Sequence, residues 1–186
     1  MKLSVQEALE TTALTFISAV FFAGFFQLNG WLFSNLIYRE GVNWVFLPAG
    51  FRVILVLLLG VPGAVGIMLG TWYIDRGSLI DSNMWLIMLN GVVSGFIPYG
   101  VLKILSKGRR TEQLLQVMNT QHLLNFTLIF AAASSVAHQL VWLLLKKTDS
   151  NILVDVWPMF IGDTLGTFLI LFCCKLVISR LPLKQG

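Results

Sequence analysis

The sequence predicts an all-α integral membrane protein, a compact bundle of six transmembrane helices with both termini cytoplasmic. Three observations carry that expectation. The chain of 186 residues is 56% hydrophobic and only 12% charged, against roughly 25% charged in a soluble globular domain. Its apolar residues gather into runs at about 12–35, 44–60, 62–74, 84–105, 121–145 and 157–179, and a bilayer core about 30 Å thick takes roughly 20 apolar residues per helical crossing. Its lysines and arginines fall mainly in short segments between the runs, where they orient a membrane protein. The whole of 1–186 therefore reads as a single transmembrane domain surrounded by membrane lipids. The net charge of +4 is a topological signal, and nucleic acid is excluded as a partner.

The first run is too long for the core of a cleaved signal peptide and reads as an uncleaved span. The second and third are short, and "LLLGVPGAVG" between them sets Gly60, Pro62 and Gly63 where a continuous helix is disfavoured. A tight turn there gives six crossings. A single Pro-kinked span over 48–74 gives five, with the N-terminus outside. Six crossings place Lys2, Lys103, Lys107, Arg109, Arg110, Lys175, Arg180 and Lys184 inside, and Arg39, Arg76, Lys146 and Lys147 outside. Five give the same count, so charge does not choose. In the six-span arrangement Trp31, Trp44, Trp72, Trp85, Trp142 and Trp157 all fall near outer span ends, where amphipathic rings favour the interface. The Gly-Pro-Gly break favours six. The third span, about 13 residues, is then only about 20 Å long.

Gly66/Gly70, Gly91/Gly95 and Gly162/Gly166 each put two glycines on one helix face, and "AAASSVA" at 131–137 does likewise with small side chains. Packing within the bundle is the expected use; homodimerisation is the alternative. Cys173 and Cys174 are adjacent, about 100° apart on a helix, and read as apolar filler.

At 1.5 Å per helical residue, the chain entering from Asn43 reaches Arg52 after roughly 13 Å. From Asp155 it reaches Asp163 at a similar depth, and from Lys146 back along the fifth span it reaches His138. Asn90, Gln27 and Asn29 lie in the same outer half. A charge in a span costs at least about 2.5–3.5 kcal/mol and normally pairs inside the bundle or faces a wet cavity. Arg52 with Asp163 is the expected pair, because a guanidinium fork satisfies a carboxylate, and His138 or Gln139 supplies a further hydrogen bond. Two readings stay open. One is a structural ion pair locking the second and sixth spans. The other is an outward-opening pocket floored by Arg52 and Asp163 and rimmed by Trp44, Trp72, Trp85, Trp142 and Trp157.

No motif for a nucleophile, a phosphate loop or a metal protease is present, and no second ligand stands at metal spacing from His138. The expectation is a non-enzymatic protein without catalytic residues, cofactor or metal.

Two stretches carry a family likeness. "NWVFLPAGFRVILVLLLGVPGAVGIMLGTWYI" (43–74) and "WPMFIGDTLGTFLILF" (157–172) resemble the first class of bacterial membrane-associated sensor domains, through Pro48, Gly50, Gly60, Pro62, Gly63, Gly70, Trp157, Gly162, Asp163 and Gly166. That family typically joins a multi-pass domain in the bacterial inner (cytoplasmic) membrane to a cytoplasmic kinase or cyclic-dinucleotide enzyme. Here "LPLKQG" follows the last span, so the resemblance implies a stand-alone sensor acting through a partner membrane or signalling protein, with a possible small-molecule ligand from the outer side. The architecture is also similar to the substrate-binding subunits of energy-coupling-factor transporters, in which small residues on the first helix, here Ala19, Ala23 and Gly24, would contact the coupling protein. A ligand-free accessory subunit of a membrane complex is the third reading.

Overall fold

A computed structural model describes residues 4–79, 84–106, 120–147 and 151–180. The expectations placed on Lys2, Lys107, Arg109, Arg110, Lys184 and "LPLKQG" lie outside the described residues. Among those described, six α-helices follow in order: α1 (Val5–Leu32), α2 (Leu47–Leu59), α3 (Val61–Asp75), α4 (Met84–Ser106), α5 (Thr120–Leu144) and α6 (Ile152–Arg180). A short antiparallel hairpin, β1 (Ile37–Arg39) with β2 (Val42–Asn43), interrupts this all-α order between α1 and α2. By length and composition α1, α4, α5 from Leu123 and α6 as far as Cys174 suffice to cross a membrane.

Local chemistry explains the boundaries. α1 begins ahead of the apolar run because Ser4 and Glu7 form a capping box. Glu7 N–H donates to Ser4 Oγ at 3.2 Å, and Ser4 N–H donates to the Glu7 carboxylate at 2.8 Å. α2 stops at Gly60, whose φ of +60° with ψ of −123° suits only glycine. Pro62 then sits in the first turn of α3, where its missing N–H goes unnoticed.

Contacts give the direction of each helix. Phe25 stacks on Phe51 and Phe26 meets the edge of Phe46, so α2 runs antiparallel to α1. Gly66 lies against Thr15 and Ser18, and Gly70 against Ala19 and Phe22, so α3 runs parallel to α1. Residues 48–74 are therefore a helical hairpin rather than one kinked helix. Gly91 and Gly95 approach Trp72 and Ala64 on α3, and Ser94 reaches His138 on α5, which continues the alternation. Gly162 and Gly166 lie under Asn43 and Phe46, and Gly50 lies against Thr167, so α6 runs parallel to α2. All six tryptophans consequently gather at one end of the bundle.

α2 is the central helix. It packs on α1, α3, α4 and α6, and nearly every turn of it is buried, Arg52 included. Lipid tails are as apolar as leucine, so close van der Waals fit replaces the hydrophobic drive. The three glycine pairs supply that fit, and all are used inside the chain. α1 leaves Phe16, Val20 and Phe21 exposed at the lipid-like periphery.

Two polar contacts fasten the tryptophan end. Arg39 Nη1 donates to Asp155 Oδ2 at 2.8 Å, and the same carboxylate oxygen accepts from Asn151 N–H at 2.7 Å. This joins the hairpin to the first turn of α6. Asn29 Oδ1 accepts from Leu47 N–H at 2.8 Å, satisfying a first-turn donor of α2 from a neighbouring helix.

Candidate functional site

α2 carries its one charged side chain into the centre of the bundle. Arg52 and Asp163 are 2% and 1% exposed, and Arg52 Nη2 lies 3.4 Å from Asp163 Oδ1. That is longer than the roughly 2.7–2.9 Å of a strong charge-assisted bond. Arg52 Nη1 donates to Ser134 Oγ at 3.3 Å, while the guanidinium carbon stands 5.3 Å and 5.5 Å from the ring centres of Phe46 and Phe130. These rings give it cation–π support. Arg52 Nε has no hydrogen-bond partner among the described residues.

His138 is held at both nitrogens. Nδ1 lies 2.9 Å from Ser134 O, and a carbonyl only accepts, so Nδ1 carries the proton. Nε2 then accepts from Ser94 Oγ at 3.2 Å. Asn90 Oδ1 accepts from Trp142 Nε1 at 2.9 Å. Gln139, 1% exposed, directs Nε2 at Met159 Sδ over 3.9 Å, and its Oε1 is unpartnered among the described residues.

These groups surround two joined chambers. The inner one, about 110 Å³, is lined by Arg52, Thr71, Asn90, Ser94, His138 and Trp142, with Phe22, Phe26, Phe46 and Met159 as apolar wall. The outer one, about 270 Å³, adds Glu40, Leu86, Ile87 and Lys147. Phe26, Gly41, Ile74, Asp75, Asn90 and Trp142 line both, so the two form one path from the tryptophan end down to Arg52. Small-molecule sites begin at about 300 Å³, a volume that neither chamber reaches alone. Asp75, just beyond the apolar run of α3, has its carboxyl pushed up to about 6 by burial; Lys147 opposes the rise and Glu40 adds to it. Burial likewise lowers the Lys147 ammonium, with Glu40 and Asp75 acting the other way.

Of the residues singled out in the sequence, Arg52, His138, Asn90 and Trp142 line the path. Asp163 stands behind Arg52, and Gln139 and Asn29 are buried structural contacts. Gln27 is exposed on α1. Trp85 and Trp157, exposed by 62% and 64%, point away from the path, Trp44 packs edgewise on Tyr38, and Trp72 Nε1 donates to Met88 O at 3.2 Å. The rim thus consists of Trp142 with charged groups rather than of five tryptophans, because Trp85 and Trp157 face outward, Trp44 is taken up by Tyr38 and Trp72 by α4. Asp75, Glu40, Lys147, Thr71 and Ser94 were not anticipated. Ser94 was legible, since it stands four residues from Asn90 on the same helix face. Among the described residues no three His, Cys, Asp or Glu side chains converge as a metal would need.

No protein-family model matches the chain, and no curated protein or solved structure is significantly similar to it.

Proposed function

We propose that the chain is a multi-pass protein of a bacterial cytoplasmic membrane. It crosses six times with both termini cytoplasmic, takes a small molecule from the outer side, and acts as a sensor-type protein through a partner in the membrane. The observation that supports this is the continuous path from the tryptophan end to Arg52. A bundle needing only an ion pair between α2 and α6 has no use for a second polar wall of Thr71, Asn90, Ser94 and His138 opposite it. The Arg52–Asp163 pair then has two tasks, holding α2 to α6 and forming the floor of the site.

The transporter-subunit alternative asks for an open small-residue face on α1. Ala19 packs on Gly70 of α3, whereas a methyl added at Gly24 would meet nothing within 4 Å and Ala23 lines an open groove on α1, so this face does not choose between the two readings. The two differ in company: co-purification with ATPase subunits supports the transporter reading, and a signalling partner without substrate flux supports the sensor.

Single cysteines in a Cys173→Ser/Cys174→Ser background test the arrangement. Glu40→Cys is expected to react with a membrane-impermeant thiol reagent in intact cells, and Glu7→Cys only after permeabilisation. Labelling of Glu7→Cys from outside would overturn the orientation and with it the outward-facing site.

A further inference from the structure

Lys147 shows what the mouth of the path accepts. α5 ends in a reversal in which Lys147 N–H donates to Trp142 O at 2.9 Å and Lys146 N–H to Leu143 O at 3.2 Å. Lys146 has φ of +52° at the position where glycine is usual in this motif. The reversal lays the Lys147 side chain back over the last turn of α5. Its ammonium rests 3.7 Å from the ring centre of Trp142 and donates to Glu40 O at 3.3 Å. The outer chamber therefore already holds an alkylammonium on an aromatic face.

The charges around it do not balance. Arg52 is matched by Asp163 and Arg39 by Asp155, which leaves Glu40 and Asp75 against Lys147 along the path. Asp75 stands where the chambers join, and among the described residues it makes no ion pair within 4.0 Å. A half-buried carboxylate without a close partner favours an added cation, and Phe26 beside it offers a second aromatic wall.

We propose that the junction of the two chambers binds a small organic ammonium ion, with Asp75 as its counter-ion and Phe26 and Trp142 as its walls, and that Lys147 is the tethered cation it displaces. The proposal rests on the outward-opening path described above. The incoming cation takes over the counter-charge that Lys147 supplies to Asp75, and Arg52 at the floor keeps it from descending past the junction.

The test uses the full chain, purified, with choline chloride as probe. 3,3-Dimethylbutan-1-ol serves as the uncharged molecule of the same shape, and sodium chloride as the ionic-strength control. Choline is expected to raise the unfolding temperature saturably, with no comparable effect of the alcohol or the salt. Asp75→Asn is expected to weaken choline binding by about tenfold or more, the equivalent of about 1.4 kcal/mol, and Lys147→Ala to strengthen it by removing the internal competitor. Equal stabilisation by the alcohol, or weaker choline binding in Lys147→Ala, overturns the proposal. If Asp75→Asn does not fold, the Lys147→Ala arm decides. Thr71→Cys, labelled from outside in the same cysteine-free background, separates the two levels: labelling without a choline response overturns this inference alone, and no labelling overturns the path itself.

Discussion

Arg52 and Asp163, both almost fully buried, meet at 3.4 Å. Removing one partner leaves the other charged and unpaired, at a typical cost of about 3–5 kcal/mol. Asp163→Ala is therefore expected to lower the unfolding temperature and the yield sharply, and Arg52→Ala/Asp163→Ala to lose less than the two single losses together. Additive losses in thermal unfolding would show that the pair is not coupled. Asp75 supports a second prediction. Its folded carboxyl titrates near 6 against an ordinary 3.8, so it is charged above about pH 7 and neutral well below 6. Lys147 after α5 and Glu40 on the hairpin are the charged groups that act on it. Choline affinity is expected to fall between pH 7.5 and 5, a change that isothermal titration would register and that Asp75→Asn would abolish. The ion pair was legible in the sequence because charges inside spans are rare and two of opposite sign lay at matching depth. Asp75 was not, because a carboxylate just beyond an apolar run looks like any solvated span end.

At the scale of elements, depth counting rested on a helix starting near Asn43, whereas α2 starts at Leu47. After β2 ends at Asn43, Trp44 and Val45 bend the chain down into α2, and the Arg52–Asp163 pair closes all the same. The descending segment presses its carbonyls onto α6 at Gly162 and Gly166, where an added methyl would meet Asn43 O and Phe46 O. Gly162→Ala and Gly166→Ala are each expected to cost about 1–3 kcal/mol, whereas Gly24→Ala, with nothing within 4 Å, should be neutral or slightly stabilising in the same unfolding assay. Equal effects at all three would contradict the docking role of α6. The break at Gly60 and the glycine pairs were readable from residue type alone. The hairpin at Ile37–Asn43 was not, since strands this short carry no periodicity and depend on Arg39 reaching Asp155, a contact made far along the chain.

For the whole molecule, the alternating directions of six helices and the gathering of the tryptophans at one end follow from the same hydropathy pattern that set the fold class. The central place of α2 does not, because a helix apolar but for Arg52 announces burial without naming its neighbours. The path to Arg52 was only half visible for the same reason. Its lining comes from all six helices and the hairpin, and spacing along a sequence relates residues within one helix far better than across seven segments. The proposed function requires that path to be open to water from the outer side as far as the Arg52 layer. Ser94→Cys, with Cys173 and Cys174 replaced by serine, places a near-isosteric thiol in the inner chamber. The expected result is labelling by a small membrane-impermeant methanethiosulfonate added outside intact cells. Labelling from the cytoplasmic side only, or none in a protein that folds normally, would contradict it.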